Sequence, residues 1–104
     1  MPTPLDDLNA KIFREQLHSQ FKVHQDNAAT VMLELVDVVE SNQSPKMELF
    51  SLSFHGPFRP RLDQRTHRME HEKLGEIEIF LTPISADPQN GMMYEAVFHR
   101  FRKS

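Results

Sequence analysis

The sequence has no cysteine, only three glycines, and no long apolar run. Without cysteine the chain forms no disulfide, thiolate nucleophile or zinc ribbon, which suits a reducing compartment. No glycine-rich phosphate-binding motif is present, and no apolar stretch approaches the roughly 20 residues of a membrane span. The first residues lack the basic and apolar segments of a signal peptide. We therefore predict a cytoplasmic protein that has no membrane contact.

The composition fits a single domain over residues 1–104, with eight phenylalanines and six methionines available for one core. Fifteen acidic residues outweigh twelve basic ones, for a formal net charge of −3. This balance gives no long-range attraction to nucleic acid or anionic membranes.

The first segment has the features of a helix start. Thr3 is a good N-cap, Pro4 suits the first helical position, and Asp6 and Asp7 favour the positive end of the helix dipole. Leu8 and Ile12 continue an apolar stripe at helical spacing. We predict one helix at about 4–16 that covers the rest of the domain.

The remaining residues, about 17–102, alternate apolar and polar side chains with period two, as strands do. Strands are expected near 17–24, 30–39, 49–56, 66–70, 76–84 and 92–101, separated by turns rich in Gly, Pro, Asn or Ser. The strand at 30–39 is apolar on both sides, which is typical of a central or barrel-forming strand. The predicted fold is α+β but mainly β, an antiparallel roll or small barrel of about six strands with one N-terminal helix.

Three segments carry a resemblance to a known family: FSLSFHGP at 50–57, RMEHEKLGEIEIFLTP at 68–83 and YEAVFHR at 94–100. Over roughly residues 13–100 the chain resembles a family of short bacterial proteins described only as a domain of unknown function. The resemblance implies no activity, and it provides no catalytic residues. It also implies a link with phage-tail-collar-type proteins, and hence an accessory role in a phage-tail-like or other larger assembly.

Six histidines raise the question of a metal site, with His55, His67 and His71 as the best candidates beside Glu70 or Glu72. On a strand, four residues span roughly 13 Å, so His67 and His71 reach one ion only if the chain bends between them. We favour histidines that face solvent or bond locally. No metal and no cofactor is predicted.

The loop after residue 57 concentrates arginines around an aromatic residue: Phe58, Arg59, Arg61 and Arg65, with Arg68 close behind. Such loops grip single-stranded nucleic acid in some barrels, but neighbouring carboxylates, including Asp63, neutralise this one in part. A surface for a protein partner is the favoured interpretation. Glu76 and Glu78, about 7 Å apart along a strand, are interpreted as a polar face instead of a catalytic pair.

Apolar residues also fall on the nominal outer face of the last two strands, above all Phe80 and Phe101, and they favour self-association or a partner. We therefore predict a non-catalytic interaction or assembly module. Its predicted interaction surface comprises Phe58, Arg59, Arg61, Arg65, Phe80 and Phe101.

Two alternatives stay open. The first is a small-molecule or metal-binding barrel, or an enzyme, with a pocket formed by His55, His67, Arg68 and His71 around one mouth. The second is a weak single-stranded nucleic-acid binder that uses the arginine loop.

Overall fold

A computed structural model describes residues 8–25, 29–41 and 46–101 as a closed barrel of six antiparallel strands with one short helix. The mainly β fold predicted from the sequence is confirmed. The strands follow one another around the barrel in the order β1, β2, β3, β6, β5 and β4, and β4 pairs again with β1. The elements are α1 Ala10–Arg14, β1 Gln20–His24, β2 Thr30–Ser41, β3 Met47–Gly56, β4 Arg65–His71, β5 Gly75–Asp87 and β6 Gly91–Phe101.

The helix is shorter than predicted. Asn9 has an extended backbone, and its side-chain oxygen accepts a hydrogen bond from the Ile12 N–H at 2.9 Å, so the helix begins at Ala10. An asparagine in this position is a strong N-cap, and residues 8 and 9 are not helical, so the helix does not run unbroken through residues 4–16 as predicted. The proposed Thr3 cap lies outside the described residues. Residues 15–18 form a turn, and it ends at His18, whose φ of 69° is left-handed.

Inward and outward residues alternate along the strands as predicted. Phe50, Leu52 and Phe54 of β3 are buried, and so are Ile77 and Ile79 of β5. Strand β2 forms part of the barrel, as its two apolar sides indicated, but its outer side is not buried. A bulge between Leu35 and Asp37 shifts the alternation by one residue, because a bulge inserts an unpaired residue into one strand.

The bulge changes which β2 residues are buried. Val38 turns inward after it, whereas Met32, before it, is 45% exposed. Apolar residues occur at both odd and even positions of 30–39 in part because the bulge moves the inward-facing positions from odd to even numbers.

The helix closes one end of the barrel, which we call the helix end. Phe13 is fully buried, with its ring centroid 6.1 Å from that of Phe50 and 5.9 Å from that of Phe98. The Arg100 guanidinium lies over the Phe50 and Phe98 rings, and its Nε is 2.7 Å from a Glu48 carboxylate oxygen. An aromatic cluster with a paired arginine thus holds the helix in place.

The opposite end, which we call the loop end, is closed by residues 57–64 between β3 and β4. Leu62 is buried, and its backbone N–H donates to the hydroxyl oxygen of Tyr94 at 2.9 Å. Phe58 packs partly against the same core. The hydrogen bond to Tyr94 and two apolar anchors therefore help to hold this loop over the barrel.

Candidate functional site

Strand β4 directs two histidines into the barrel, one toward each end. His67, Met69 and His71 alternate with exposed residues, and the two imidazoles are only 3% and 6% exposed. His67 lies near the loop end and His71 at the helix end. Because both lie on one extended strand, as the sequence indicated, they cannot share a ligand.

His71 has hydrogen bonds at both ring nitrogens. Its Nδ1 accepts the backbone N–H groups of Lys73 and Leu74 at 3.0 and 3.1 Å, and its Nε2 lies 2.8 Å from the Ser19 hydroxyl oxygen. Since Nδ1 is an acceptor, the neutral ring carries its proton on Nε2 and donates it to Ser19. Ser19 in turn donates to the Gln16 carbonyl oxygen.

This arrangement determines what His71 and Ser19 can do chemically. A histidine that donates to a serine cannot take the serine proton, so Ser19 is not activated as a nucleophile. Burial lowers the pKa of His71, Lys73 adds to that effect, and Glu72 opposes it. A cavity of about 700 Å³ lies beside the pair, between the 15–18 turn and strands β1 and β4. The His71 network is therefore structural: it joins the 15–18 turn to the turn between β4 and β5.

His67 is only half satisfied. Its Nε2 lies 2.7 Å from the carbonyl oxygen of Asp63, and its buried Nδ1 has no hydrogen-bond partner among the described residues. The side-chain nitrogen of Gln25 is also buried, and it too has no partner in the part of the chain that the structure describes. Both residues line a mostly polar cavity of about 420 Å³ together with His24, Arg65, Thr66, Arg68 and Glu78.

The four residues of the predicted pocket do not surround one mouth. His55 lies on the outer wall, where its Nε2 meets the Asn90 carbonyl oxygen. Arg68 also points outward, with its Nε 3.7 Å from a Glu76 carboxylate oxygen. His67 and Arg68 line one cavity at the loop end, but His55 lies on β3, which is not a neighbour of β4, and His71 lies at the helix end of β4. The four residues therefore do not form the shared pocket that was predicted. Among the described residues, there is no group of three or more His, Asp or Glu side chains that could hold a metal ion.

The arginine loop is partly assembled as predicted. The guanidinium carbons of Arg61 and Arg59 lie 4.4 and 5.7 Å from the centroid of the Phe58 ring. We call these three residues the Phe58 platform. Arg65 is separate from it, because it begins β4 and lines the cavity beside His67. That the platform binds a partner stays a prediction.

Exposed apolar residues occur on the outer wall, as the sequence indicated for its last strands. Phe80 of β5 is 51% exposed and Val97 of β6 is 61% exposed. Val97 pairs with Ser51, which pairs with Val39, another exposed residue. Phe101 ends β6 and its backbone pairs with Met47, while its side chain lies outside the described part of the chain.

Strand β5 changes partner where these residues lie. From Gly75 to Leu81 it pairs with β4, and from Thr82 to Asp87 it pairs with β6. Within the described chain, the ladder between β5 and β6 ends at Thr82 and Glu95, and the following residues of β6 pair only with β3. Phe80 and Val97 lie just beyond this point. We call them, with the adjoining end of β6, the β5–β6 surface.

Sequence analysis missed Gln25, although a signal was present. Phe21 and Val23 point into the barrel, so the next inward position of β1 falls on Gln25, a polar residue. A polar side chain at an inward position indicates either a buried hydrogen bond or a site. The same signal applies to His67 and His71.

Residues 8–98 match the model of a protein family described as a domain of unknown function, DUF6916. The chain belongs to this family. The predicted resemblance to an uncharacterised family is thereby confirmed, and the match spans the whole barrel except the last residues of β6. No curated protein and no solved structure matches the chain. The described residues include no helix with the length and apolarity needed to span a membrane.

Proposed function

We propose that this domain is a non-catalytic interaction or assembly module whose main contact is the β5–β6 surface. The observation that carries this proposal is the pair of exposed side chains, Phe80 and Val97, at the point where the β5–β6 ladder ends. Apolar residues of this size are favourable contacts when a partner covers them.

The backbone supports the same surface. Beyond Glu95, the described part of β6 has a strand neighbour on one side only. Backbone N–H and C=O groups along such an edge accept a further strand, and neighbouring pockets or apolar side chains give the contact its specificity. A strand from a protein partner, or from a second copy, is the occupant that this geometry fits.

The Phe58 platform offers a second contact at the loop end. Stacked arginine and aromatic side chains are enriched where proteins bind one another. Its ring lies under the Arg61 guanidinium, which makes it a poorer stacking surface for a nucleobase. This geometry favours a protein partner over single-stranded nucleic acid.

The absence of catalysis is part of the proposal, and two features support it. The proton position in the His71 network leaves Ser19 unactivated. The Glu76 carboxylate is near Arg68, and Glu78 lies on the outer face of β5. In its finer form, the proposal assigns the domain an accessory role in a phage-tail-like or other large assembly in the cytoplasm. The accessory role rests on the sequence resemblance.

The test compares Val97→Lys with Met32→Lys. Both replace an exposed apolar residue on the outer wall, but Met32 lies on β2, away from the β5–β6 surface. We expect the wild-type protein to dimerise, or to retain a partner in affinity purification. Val97→Lys should abolish that association, and Met32→Lys should preserve it.

Size-exclusion chromatography with light scattering measures the mass, and affinity purification identifies the partner. A monodisperse wild-type monomer that retains no partner would contradict the proposal. Equal loss of association in both variants would also contradict it, because the effect would then be one of general surface charge.

A further inference from the structure

Two buried polar atoms lie beside the same cavity at the loop end: Nδ1 of His67 and Nε2 of Gln25. The β1–β4 ladder pairs Val23 with Met69 and His24 with Arg68, so continuing this register beyond β1 places Gln25 at the level of His67. Neither atom has a hydrogen-bond partner among the described residues. A buried polar group without a partner costs about 1–3 kcal/mol. A bound group that bonds to both atoms would remove that cost.

The hydrogen bond at the other ring nitrogen specifies the kind of group required. Nε2 of His67 donates to the Asp63 carbonyl oxygen, so Nδ1 of the neutral ring is an acceptor. The Gln25 side-chain nitrogen is a donor. A hydroxyl group can donate to His67 and accept from Gln25 at the same time, whereas a carboxylate has no proton to donate and an ammonium group has no acceptor.

The outer part of the same cavity is charged. Arg65 and Arg68 line it, together with the carboxylate of Glu78. Arg68 is held only loosely by Glu76, with 3.7 Å between the charged atoms, and its side chain is 58% exposed. The volume of about 420 Å³ lies within the range of small-molecule sites.

We propose that this cavity binds a small organic anion that carries a hydroxyl group. The hydroxyl bridges Gln25 and His67, and the anionic group lies against the Arg68 guanidinium beside Arg65. Since both inner atoms are shielded from solvent, the ligand enters with a rotation of the Gln25 amide, the flexible end of a side chain that follows β1. This site adjoins the β5–β6 surface, since Thr66 of the cavity pairs with Phe80, but it uses different contact residues, and its test does not depend on the interaction function.

Matched pairs of probes test the proposal. Malate and succinate differ by one hydroxyl group, and so do 1-hydroxy-2-propyl phosphate and isopropyl phosphate. Each is titrated into the ¹⁵N-labelled protein while backbone amides and histidine ring nitrogens are followed by NMR. A hydroxylated probe should shift the amides of residues 24, 25 and 65–68 and the Nδ1 resonance of His67, leaving that of His71 unchanged. Which pair responds distinguishes a carboxylate from a phosphate ligand.

Two variants locate the binding. Gln25→Met keeps the length of the side chain but loses the amide, and it should weaken binding about tenfold, as expected for one buried hydrogen bond. Arg68→Gln should weaken it as well, whereas Arg59→Gln, which removes the same charge from the Phe58 platform, should not.

Three outcomes would overturn the proposal. In the first, malate and succinate bind equally, so the hydroxyl is not recognised. In the second, Gln25→Met binds as the wild type does. In the third, no probe binds at millimolar concentration and the Nδ1 of His67 shows contact with water alone. Water would then provide the hydrogen bonds to His67 and Gln25.

Discussion

Two histidines of β4, four residues apart and both buried, have opposite surroundings. At the helix end, both nitrogens of the His71 ring are bonded: one accepts two backbone N–H groups of the turn between β4 and β5, and the other bonds to Ser19, which is itself bonded to the backbone of the 15–18 turn. At the loop end, His67 has one carbonyl partner, and its second nitrogen has none among the described residues. Burial alone therefore does not distinguish a fully bonded histidine from one that can accept a further hydrogen bond. The number of bonded ring nitrogens does.

The two ends also differ in what holds them closed. The helix end has a cluster of three phenylalanine rings and a paired arginine. The loop end has Leu62, part of Phe58, and one hydrogen bond to Tyr94. Apolar burial contributes more to stability than a single neutral hydrogen bond. We therefore expect the helix end to stabilise the fold and the loop end to be the easier one to open.

The largest expected effect comes from Phe13→Ala at the helix end. Because the ring is fully buried between two others, its removal should lower the free energy of unfolding by about 3–5 kcal/mol. Urea denaturation measures this loss. Ile12→Ala, which shortens a partly buried neighbour in the same helix, should cost clearly less. Equal losses in the two variants would mean that the aromatic cluster does not hold this end.

A smaller effect is expected from Tyr94→Phe at the loop end. The change leaves the ring in place but deprives the Leu62 N–H of its acceptor, which should cost about 1–3 kcal/mol. Hydrogen exchange should quicken at Leu62 and its neighbours, while amides near Phe13 should keep their protection. If exchange quickens equally at the helix end, the two ends do not open independently.

The strands were predictable from the sequence because their signal is local. Period-two alternation places Phe50, Leu52 and Phe54 inside without any knowledge of the partner strand. The helix start was not predictable in the same way, since Thr3 and Asn9 are both good caps and only the structure shows that Asn9 is used. The bulge in β2 was not predictable either, because the sequence of this strand has apolar residues on both sides whether or not a bulge is present.

The sites were less predictable than the fold because they depend on pairing between distant segments. That His67 and Gln25 line one cavity depends on the pairing of β1 with β4, and that both ring nitrogens of His71 are bonded depends on the turns at residues 16–19 and 72–74. Nothing in the local sequence distinguishes the two histidines. The exposure of Phe80 was predictable from alternation alone, but the end of the β5–β6 ladder beside it was not.

The smallest expected effect is a pH dependence that separates the two histidines. Burial lowers the pKa of His71 below its ordinary value of 6.5, so in the mildly acidic range the unfolded chain binds a proton that the folded chain does not. The free energy of unfolding should therefore be unaffected by His71 above about pH 6.5 and should fall as the pH drops from there toward the lowered pKa. Protonation of Nδ1 would also end its hydrogen bonds with the Lys73 and Leu74 N–H groups.

Urea denaturation between about pH 5 and about pH 8 measures this dependence, because histidine is the side chain whose ordinary pKa lies in that range, and a comparison of variants that each lack one histidine isolates the contribution of His71. The variant His71→Gln should lose stability at the upper pH values and should show a flatter curve than the wild type below pH 6.5. The matched change His67→Gln removes the other buried histidine of β4 and leaves the His71 network intact, so it should retain the wild-type fall on acidification. If the two variants flatten the curve equally, the bonded and the half-bonded histidine contribute alike to acid stability, and the distinction drawn between the two ends fails.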